Sequence, residues 1–404
     1  SDLYPKIRCF QIFVMYLTEM YKVVFGCLVV FFCLWGCVNK YDSIIDTDAA
    51  CITVNPNNSE KLDIEAIFSS IEVTALESSE ASLFGKCDKM LFKEGKYYIL
   101  DRKEACIYVF NANGTFLRNS KSKQGDGPGE YHCIVDFDIS KDKHIEILDV
   151  SAYKIMIYDE EFNFLDEVEI PKDLYPISTF KCLNNELYAF YSSFSSTSNA
   201  NDRMNIYSFK QNRIVESTKG YIYIPSLRIG VTQPYSFYES EGDVFFSFPY
   251  PNDKVYKIEK NEGHIKEVIR YNFGSCSFPF EKIDSHKAIF EDIIKGSGKY
   301  AFPICRWENK NFLFTFIMYQ EKQHLLLYKK DSERSNLYSC TFNNGELLLP
   351  PIYVDNDFLY VIAEPSWLEY LVSKKLLVET AAINTINNIK EDDNSVILKY
   401  RLKK

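Results

Sequence analysis

Apolar and polar residues alternate in short runs along most of the chain, and two of these runs repeat. The run KYYILDRKEACIYVFNANGTFL at residues 96–117 matches HIEILDVSAYKIMIYDEEFNFL at residues 144–165, at an offset of 48 residues. A further apolar run precedes each copy, at residues 86–92 and 134–139. Alternation with period two indicates β-strands, so each unit predicts four short strands. Four antiparallel strands every 40 to 50 residues or so are typical of a propeller blade.

Four looser copies of this unit follow. They occupy residues 182–217, 236–273, 303–342 and 351–400. An isolated strand at Ile71–Leu76 precedes the first unit, and we expect it to pair with the last blade, because a closed ring leaves no free sheet edge. The sequence therefore predicts an all-β fold, a six-bladed β-propeller with four-stranded antiparallel blades. Residues 280–294 and 367–383 have apolar positions near helical spacing and predict two short helical excursions.

The N-terminal region has a different pattern. Residues 23–38, VVFGCLVVFFCLWGCV, carry no charge and follow Lys22. As a helix this stretch would span about 24 Å, which is less than the ~30 Å hydrocarbon core of a bilayer. A basic residue before a short apolar run is typical of a secretory signal.

The end of this stretch, Leu34-Trp35-Gly36-Cys37, resembles the lipobox of bacterial lipoproteins. The resemblance implies a leader at residues 1–36, for which Met20 is an alternative start, and lipidation of Cys37. A lipidated tether and linker would then cover residues 37–70, and the propeller residues 71–404. An uncleaved membrane anchor and plain secretion are the alternatives.

Composition narrows the functional classes. Lys and Arg number 46 against 56 Asp and Glu, which gives a net charge of -10 and argues against a nucleic-acid binder that works by bulk charge. The 31 Phe and 29 Tyr suit half-buried pleated sheets. Eight of the 12 cysteines follow Cys37 without a C-x-x-C pair, so a structural zinc site is not expected. We expect buried free thiols, with disulfides as the alternative.

Several segments of the first two blades resemble an NHL-type repeat. They are Tyr98–Asp101, Ile107–Asn111, Asn113–Arg118 and Gly125–Tyr131. The whole chain resembles the bacterial six-bladed β-propeller lipoproteins, whose shared marks are found here at residues 127–131, 250–256, 272–274 and 394–396. The resemblance implies a propeller in the cell envelope, either in the periplasm or at the outer membrane, and it assigns no catalytic residue.

The remaining motifs have structural interpretations. The glycine-rich run 125–129 is predicted to be a turn between blades, because a phosphate-binding loop would have to begin a helix. Asp101 and Asp149 end equivalent strands and are predicted to cap the next turn, with a central Ca²⁺ as the alternative. The pairs Asp136/Asp138 and Asp355/Asp357 are predicted to be solvated strand ends, with an acidic channel mouth as the alternative.

No G-x-S-x-G motif occurs, and the five histidines are scattered, so no catalytic residue is predicted. The candidate binding residues at the channel mouth are His132, Tyr250, Arg306 and Trp307, because an Arg beside an aromatic ring suits a carboxylate or a sugar.

We therefore predict a non-enzymatic, envelope-anchored binding or scaffold propeller that recognises a protein, peptide or glycan. It is expected to be monomeric, to need no cofactor and to contact the membrane only through its lipid. The alternative is a metal-dependent lyase or hydrolase, with Ca²⁺ as the candidate ion, whose site lies in the central channel.

Overall fold

The computed structural model describes residues 49–192, 201–222, 236–249, 252–278, 298–340, 349–368 and 385–403. Within these residues, 26 β-strands form six sheets. Strands from all six sheets line one central chamber, so each sheet runs outward from the middle of a ring. The predicted six-bladed β-propeller with four-stranded antiparallel blades is confirmed.

Blades 1 to 3 each consist of four consecutive antiparallel strands. Blade 1 contains β4 (Lys89–Lys93), β5 (Lys96–Asp101), β6 (Cys106–Asn111) and β7 (Phe116–Asn119). Blade 2 contains β8 (Asp136–Ile139), β9 (Ile145–Asp149), β10 (Lys154–Tyr158) and β11 (Phe164–Glu169). Blade 3 contains β12 (Ile177–Cys182), β13 (Leu187–Ser192), β14 (Asn201–Ser208) and β15 (Arg213–Ile222). The 48-residue repeat thus corresponds to blades 1 and 2.

Blades 4 and 5 have the same four antiparallel strands and a fifth, parallel strand on the outside. Blade 4 contains β16 (Phe237–Ser240), β17 (Asp243–Phe246), β18 (Lys254–Ile258) and β19 (Ile265–Asn272), with β1 (Ala50–Thr53) added to β19. Blade 5 contains β20 (Phe302–Glu308), β21 (Phe312–Tyr319), β22 (Lys322–Lys329) and β23 (Arg334–Ser339), with β2 (Glu60–Lys61) added to β23.

Blade 6 joins the two ends of the chain. It contains β24 (Tyr353–Val354), β25 (Phe358–Ala363) and β26 (Val396–Leu402), and its outermost strand is the N-terminal β3 (Phe68–Ala75). β3 runs antiparallel to β26, with Ile71 opposite Tyr400. The predicted closure of the ring by the isolated N-terminal strand is therefore confirmed.

The region predicted as linker up to residue 70 contains more structure than its polar sequence indicates. Strands β1 and β2 pair with blades 4 and 5, and a short helix α1 (Ile64–Ile67) follows. The carboxylate of Asp63 caps this helix by accepting a hydrogen bond from the backbone N–H of Ala66 at 3.2 Å. The compact unit that contains the propeller begins at Ala49.

The hydrophobic core lies between neighbouring blades. Separate clusters fill the spaces between blades 1 and 2, 2 and 3, 3 and 4, and 6 and 1, and one larger cluster joins blades 4, 5 and 6. Aromatic side chains dominate several of these contacts, such as the stacked rings of Phe180, Tyr188 and Phe190 between blades 2 and 3. This arrangement explains the high Phe and Tyr content, because wedge-shaped gaps between twisted sheets need large rigid side chains.

Within the described part of the chain, three 3₁₀ turns lie in connections between blades: Lys121–Lys123, Lys172–Leu174 and Gly274–Cys276. The predicted helical excursion at residues 280–294 lies outside the described residues. Of the second, at residues 367–383, only Trp367 and Leu368 are described, and both are helical.

Candidate functional site

The first strands of the six blades enclose a central chamber of about 70 Å³. Its wall has an aromatic part, made by Phe180, Phe237, Tyr238, Trp307 and Tyr353. Its charged part consists of Lys89, Lys93, Asp138, Lys181 and Glu239. Pockets for drug-sized ligands usually measure about 300–1,000 Å³, so this chamber is smaller than such a pocket.

Charged residues on neighbouring first strands form ion pairs. Lys89 on β4 lies 2.8 Å from a carboxylate oxygen of Asp136 on β8 and donates a second hydrogen bond to the carbonyl of Phe137 at 2.6 Å. The other carboxylate oxygen of Asp136 accepts hydrogen bonds from the Thr179 hydroxyl and from the backbone N–H of Phe180. Asp136 thus links blades 1, 2 and 3.

Asp138 repeats this arrangement one step along the same strand face. Its carboxylate pairs with Lys181 on β12 at 2.9 Å and accepts the backbone N–H of Cys182 at 3.0 Å. Both aspartates are 1% exposed. The prediction that Asp136 and Asp138 are solvated strand ends is wrong, because lysines from the adjacent blades neutralise both residues and shield them from water.

Glu239 on β16 is the centre of the charged cluster. Its carboxylate lies 3.0 Å from Lys181, 3.1 Å from Lys93 and 3.5 Å from Lys260. Burial opposes its ionisation, but the three ammonium groups outweigh this effect and hold the pKa of Glu239 well below its usual range. Asp138 and Glu239 in turn raise the pKa of Lys181 although it is buried.

Glu146 on β9 is the exception among these carboxyl groups. It lies directly opposite Asp138 in the sheet, is 3% exposed, and its Oε2 accepts no hydrogen bond among the described residues. Burial, together with the charge of Asp138, raises the pKa of Glu146 to about 8. Glu146 is therefore protonated at neutral pH and lies behind the charged cluster.

Arg306 and Trp307 lie on β20, the first strand of blade 5. Arg306 is 3% exposed, pairs with Glu308 at 2.8 Å, and lies over the ring of Tyr238 at 5.4 Å. Its Nε and Nη1 atoms are buried and donate no hydrogen bond within the described residues. The Trp307 indole faces the chamber and donates to the carbonyl of Pro351 at 2.9 Å.

His132 lies in the connection between blades 1 and 2, away from the chamber. Its Nε2 is 2.5 Å from Asp126, its backbone N–H donates to Asp149, and half of its side chain is exposed. The hydrogen bond with Asp126 raises the pKa of His132. Among the described candidates, Trp307 lines the chamber, whereas Arg306 and His132 do not. Tyr250 and Cys37 lie outside the described residues.

The connection that precedes His132 is a closed turn. The carboxylate of Glu130 accepts the backbone N–H of Gly127 at 2.8 Å, and a Cβ at Gly125 would lie only 2.1 Å from this carboxylate. Tyr131 is fully buried, and its hydroxyl contacts the carbonyls of Ala105 and Ser120. The predicted turn between blades is confirmed, and its glycines serve the close approach of Glu130.

Asp101 and Asp149 cap the turns that follow β5 and β9. One oxygen of Asp101 accepts the N–H groups of Lys103 and Glu104, and one oxygen of Asp149 accepts those of Ser151 and Ala152. The predicted capping is therefore observed in both blades. Asp355 makes the same contacts in blade 6, where it accepts N–H groups from Asp357 and Phe358.

No sequence motif marks the charged residues Lys89, Lys93, Lys181 and Glu239. Each lies on the first strand of a blade, and β4 places Lys89, Leu91 and Lys93 on one face by simple alternation. The cluster could have been predicted from one sequence feature, which is a charged residue in the first strand of successive blades. These strands surround the axis and are otherwise buried.

The described residues also answer the questions of disulfides, metal ligands and membrane-spanning helices. The eight cysteines from Cys51 onward are free, and five of them are buried. No group of three His, Cys, Asp or Glu side chains in the described ranges is arranged to hold a metal ion. None of the helices described is long and apolar enough to cross a membrane.

Comparison with solved structures gives one fold match and two weaker similarities. A crystal structure of a candidate exported protein from Bacteroides fragilis has a TM-score of 0.67 and 18% identity, covering 88% of this chain and all of that one. A DUF4221 family member from Bacteroides vulgatus has a TM-score of 0.43 and 11% identity, over 83% and 98% of the two chains. Virginiamycin B lyase from Staphylococcus aureus has a TM-score of 0.34 and 14% identity, over 68% and 75%.

Among curated proteins, none matches this chain. The family model described as a domain of unknown function, DUF4934, matches residues 48–401. This match starts just before β1 and ends within β26, so it covers the whole propeller. The chain therefore belongs to the DUF4934 family.

Proposed function

We propose that this propeller is a non-enzymatic binding or scaffold protein of the bacterial cell envelope, which recognises a protein, peptide or glycan on one face of its ring. The observation that carries the proposal is the charged cluster around Glu239. The chamber carboxylates Asp138 and Glu239 are already paired with lysines, and the chamber is small. Binding is therefore assigned to the loops around the ring, as is usual for rigid β scaffolds.

The two faces of the ring are distinguished by the direction of the first strands. The front face carries the turns after β5 and β9, which include Lys103 and Ser151, and the back face carries the turns after β4 and β16, which include Glu94 and Glu241. All four side chains are exposed. Leu165 lies on the rim of blade 2, outside both faces, and is 47% exposed. It serves as the control position.

A cross-linking experiment tests the proposal. A photo-reactive amino acid is placed at Lys103, Ser151, Glu94, Glu241 or Leu165 of the full chain, and the protein is cross-linked in intact cells. We expect a defined envelope partner to be captured at both positions of one face and at neither position of the other. Capture only at Leu165, or at no position, would contradict recognition by a face of the ring.

The alternative, a metal-dependent lyase or hydrolase, is tested on the same preparation. Metal analysis of the full chain, with thermal unfolding in EDTA and in excess Ca²⁺, measures whether an ion binds and stabilises the fold. A stoichiometric ion whose removal lowers the melting temperature would support the alternative, and the absence of both an ion and a shift would contradict it.

The envelope location is supported by the apolar segment 23–38 and by the lipobox-like sequence before Cys37. On this proposal the protein acts as a monomer and contacts the membrane only through a lipid on Cys37. Wild type and Cys37→Ala are compared by membrane fractionation and by mass spectrometry of the mature N-terminus. We expect wild type to partition with membranes and to carry a diacylglyceryl mass, and Cys37→Ala to lose both. Equal partitioning of the two would contradict lipid anchoring.

A further inference from the structure

A second cavity, larger than the central chamber, lies at the front-face end of blade 5. It encloses about 270 Å³ between the N-terminal segment Pro56–Lys61 and the turn that joins β21 and β22. We call it the blade 5 cleft. Pockets for drug-sized ligands usually measure about 300–1,000 Å³, so this cleft suits a ligand of about one sugar ring.

The cleft follows from the pairing of four strands. His324 on β22 lies opposite Ile317 on β21 and Ser339 on β23, and Ser339 in turn pairs with Lys61 on β2. Residues directly opposite one another share a sheet face, so these side chains form one row. The next positions on that face are Tyr319 and Lys322, which pair with each other and also line the cleft.

His324 is the unusual member of this row. It is 4% exposed, and neither ring nitrogen makes a hydrogen bond among the described residues. Burial lowers the pKa of His324, and Lys322 lowers it further, although the carbonyl of Tyr319 acts in the opposite direction. A neutral imidazole carries one hydrogen-bond donor and one acceptor. A buried polar group without a partner is costly, so a ligand that supplies a partner would gain affinity.

The walls of the cleft are otherwise held in place. The hydroxyl of Tyr319 donates to the amide oxygen of Asn57 at 2.7 Å and accepts from the amide of Gln320 at 3.2 Å. Asn57 also contacts the Cys276 thiol, so the N-terminal segment is tied to the blade. Lys61 and Lys322 give the lining two positive charges against one carboxylate, Glu60.

We infer that the blade 5 cleft binds a single acidic sugar, with His324 as its polar anchor. A hydroxyl group both donates and accepts, so it matches a neutral imidazole. The excess positive charge of the lining favours a sugar that carries a carboxylate, which Lys322 would neutralise at the rim. The inference rests on the proposed binding function and deepens it by naming a glycan component and its subsite on the front face.

Isothermal titration of the full chain with D-glucuronate, D-glucose and acetate tests this inference. We expect glucuronate to bind more tightly than glucose, and acetate to bind weakest, because it has the charge without the hydroxyl groups. His324→Leu should weaken glucuronate binding about ten-fold, as expected for one buried hydrogen-bonding partner. Lys322→Ala should weaken glucuronate binding and leave glucose binding unchanged. His144→Leu, on the opposite face, is the matched control.

A melting temperature recorded with each titration separates a ligand anchor from a packing role. His324→Leu should melt at or above the wild-type temperature, because it removes two unpaired buried atoms. Lys322 is exposed at the start of β22, so Lys322→Ala keeps the test valid even if His324→Leu does not fold. Absence of glucuronate binding, or binding that neither variant weakens, would overturn the inference. The cross-linking experiment does not depend on sugar binding in this cleft. The proposed function can therefore still be confirmed or contradicted when the titration fails.

Discussion

Lys93 and Glu239 form an ion pair across the axis of the propeller. They belong to blades 1 and 4, which lie on opposite sides of a six-bladed ring, and their charged atoms are 3.1 Å apart although 146 residues separate them. Lys181 of blade 3 and Lys260 of blade 4 contact the same carboxylate. The back-face end of the central channel is therefore held together by charge rather than by apolar packing.

Glu239→Gln should destabilise the fold by about 3 kcal/mol, because removing one partner leaves the buried Lys181 and the partly exposed Lys93 with less counter-charge. Urea unfolding at pH 7 measures this difference as a lower midpoint at an unchanged slope. Asp243→Asn is the control, because the Asp243–Lys257 pair is solvent-exposed and should contribute less than about 1 kcal/mol. Equal effects of the two variants would show that the central cluster is no stronger than a surface pair.

Glu239 should also make the stability of the fold depend on pH. The pKa of Glu239 is lower in the folded protein than the ordinary value of 4.5, so its stabilising effect is complete above that value and is lost as the pH falls further. The difference between wild type and Glu239→Gln should therefore be constant from pH 6 to 8 and shrink below about pH 4.5. A difference that grows as the pH falls would contradict this assignment.

Glu146→Gln should have the opposite pH behaviour. The pKa of Glu146 is raised from 4.5 to about 8, so the folded state retains a proton that the unfolded state has released between these values. Wild-type stability should decline as the pH rises from about 4.5 to 8, and Glu146→Gln should remove this decline. Urea unfolding at pH 5 and pH 9 tests it, with Glu146→Gln expected to be the more stable protein at pH 9 by a few kcal/mol.

The exposed Glu186→Gln is the control for that series and should change stability by the same small amount at both pH values. If Glu146→Gln were less stable than wild type at pH 9, the carboxylate of Glu146 would have to be ionised and paired. Its position opposite Asp138 would then need a cation in addition to Lys181.

The strands of the blades could be predicted from the sequence, whereas the contacts within the charged cluster could not. Alternation and turn residues are local, so the 48-residue repeat predicted the strands of blades 1 and 2 and the caps at Asp101 and Asp149. The cluster depends on residues far apart in sequence, such as Lys93 and Glu239. The sequence around Asp136 and Asp138 resembles an exposed strand end, and their burial depends on lysines and backbone N–H groups of neighbouring blades.

The N-terminal segment is a second feature that the sequence did not predict. Residues 41–60 are rich in Asp, Asn and Ser and resemble a linker in composition, yet β1 and β2 lie within them. Edge pairing uses backbone groups, which are present in any sequence, so composition does not report it. The blade 5 cleft could not be predicted for the same reason. Lys61 lies in one row with Ser339 and His324 because β2 pairs with β23.

Asp149→Ala should destabilise the fold by about 3 kcal/mol. Asp149 is fully buried, and its carboxylate accepts hydrogen bonds from the backbone N–H groups of His132, Ser151 and Ala152 and from the Ser151 hydroxyl. Loss of several charge-assisted bonds should exceed the ~1 kcal/mol of a single cap. Asp166→Ala on the exposed strand β11 is the control. Thermal unfolding measures both, and a similar melting temperature for the two variants would contradict the capping role.

Removal of β3 should open the ring. A chain that begins at residue 77 lacks the outermost strand of blade 6 and exposes the edge of β26, whereas a chain that begins at residue 49 retains β1, β2 and β3. An exposed β edge pairs readily with other chains, so the shorter chain should associate in a concentration-dependent way or precipitate, and the longer one should stay monomeric. Sedimentation velocity at two concentrations distinguishes them. If the chain from residue 77 were monomeric and as heat-stable as the chain from residue 49, blade 6 would need no N-terminal strand. The apolar contacts of β25 and β26 with blades 1 and 5 would then be sufficient to close the ring.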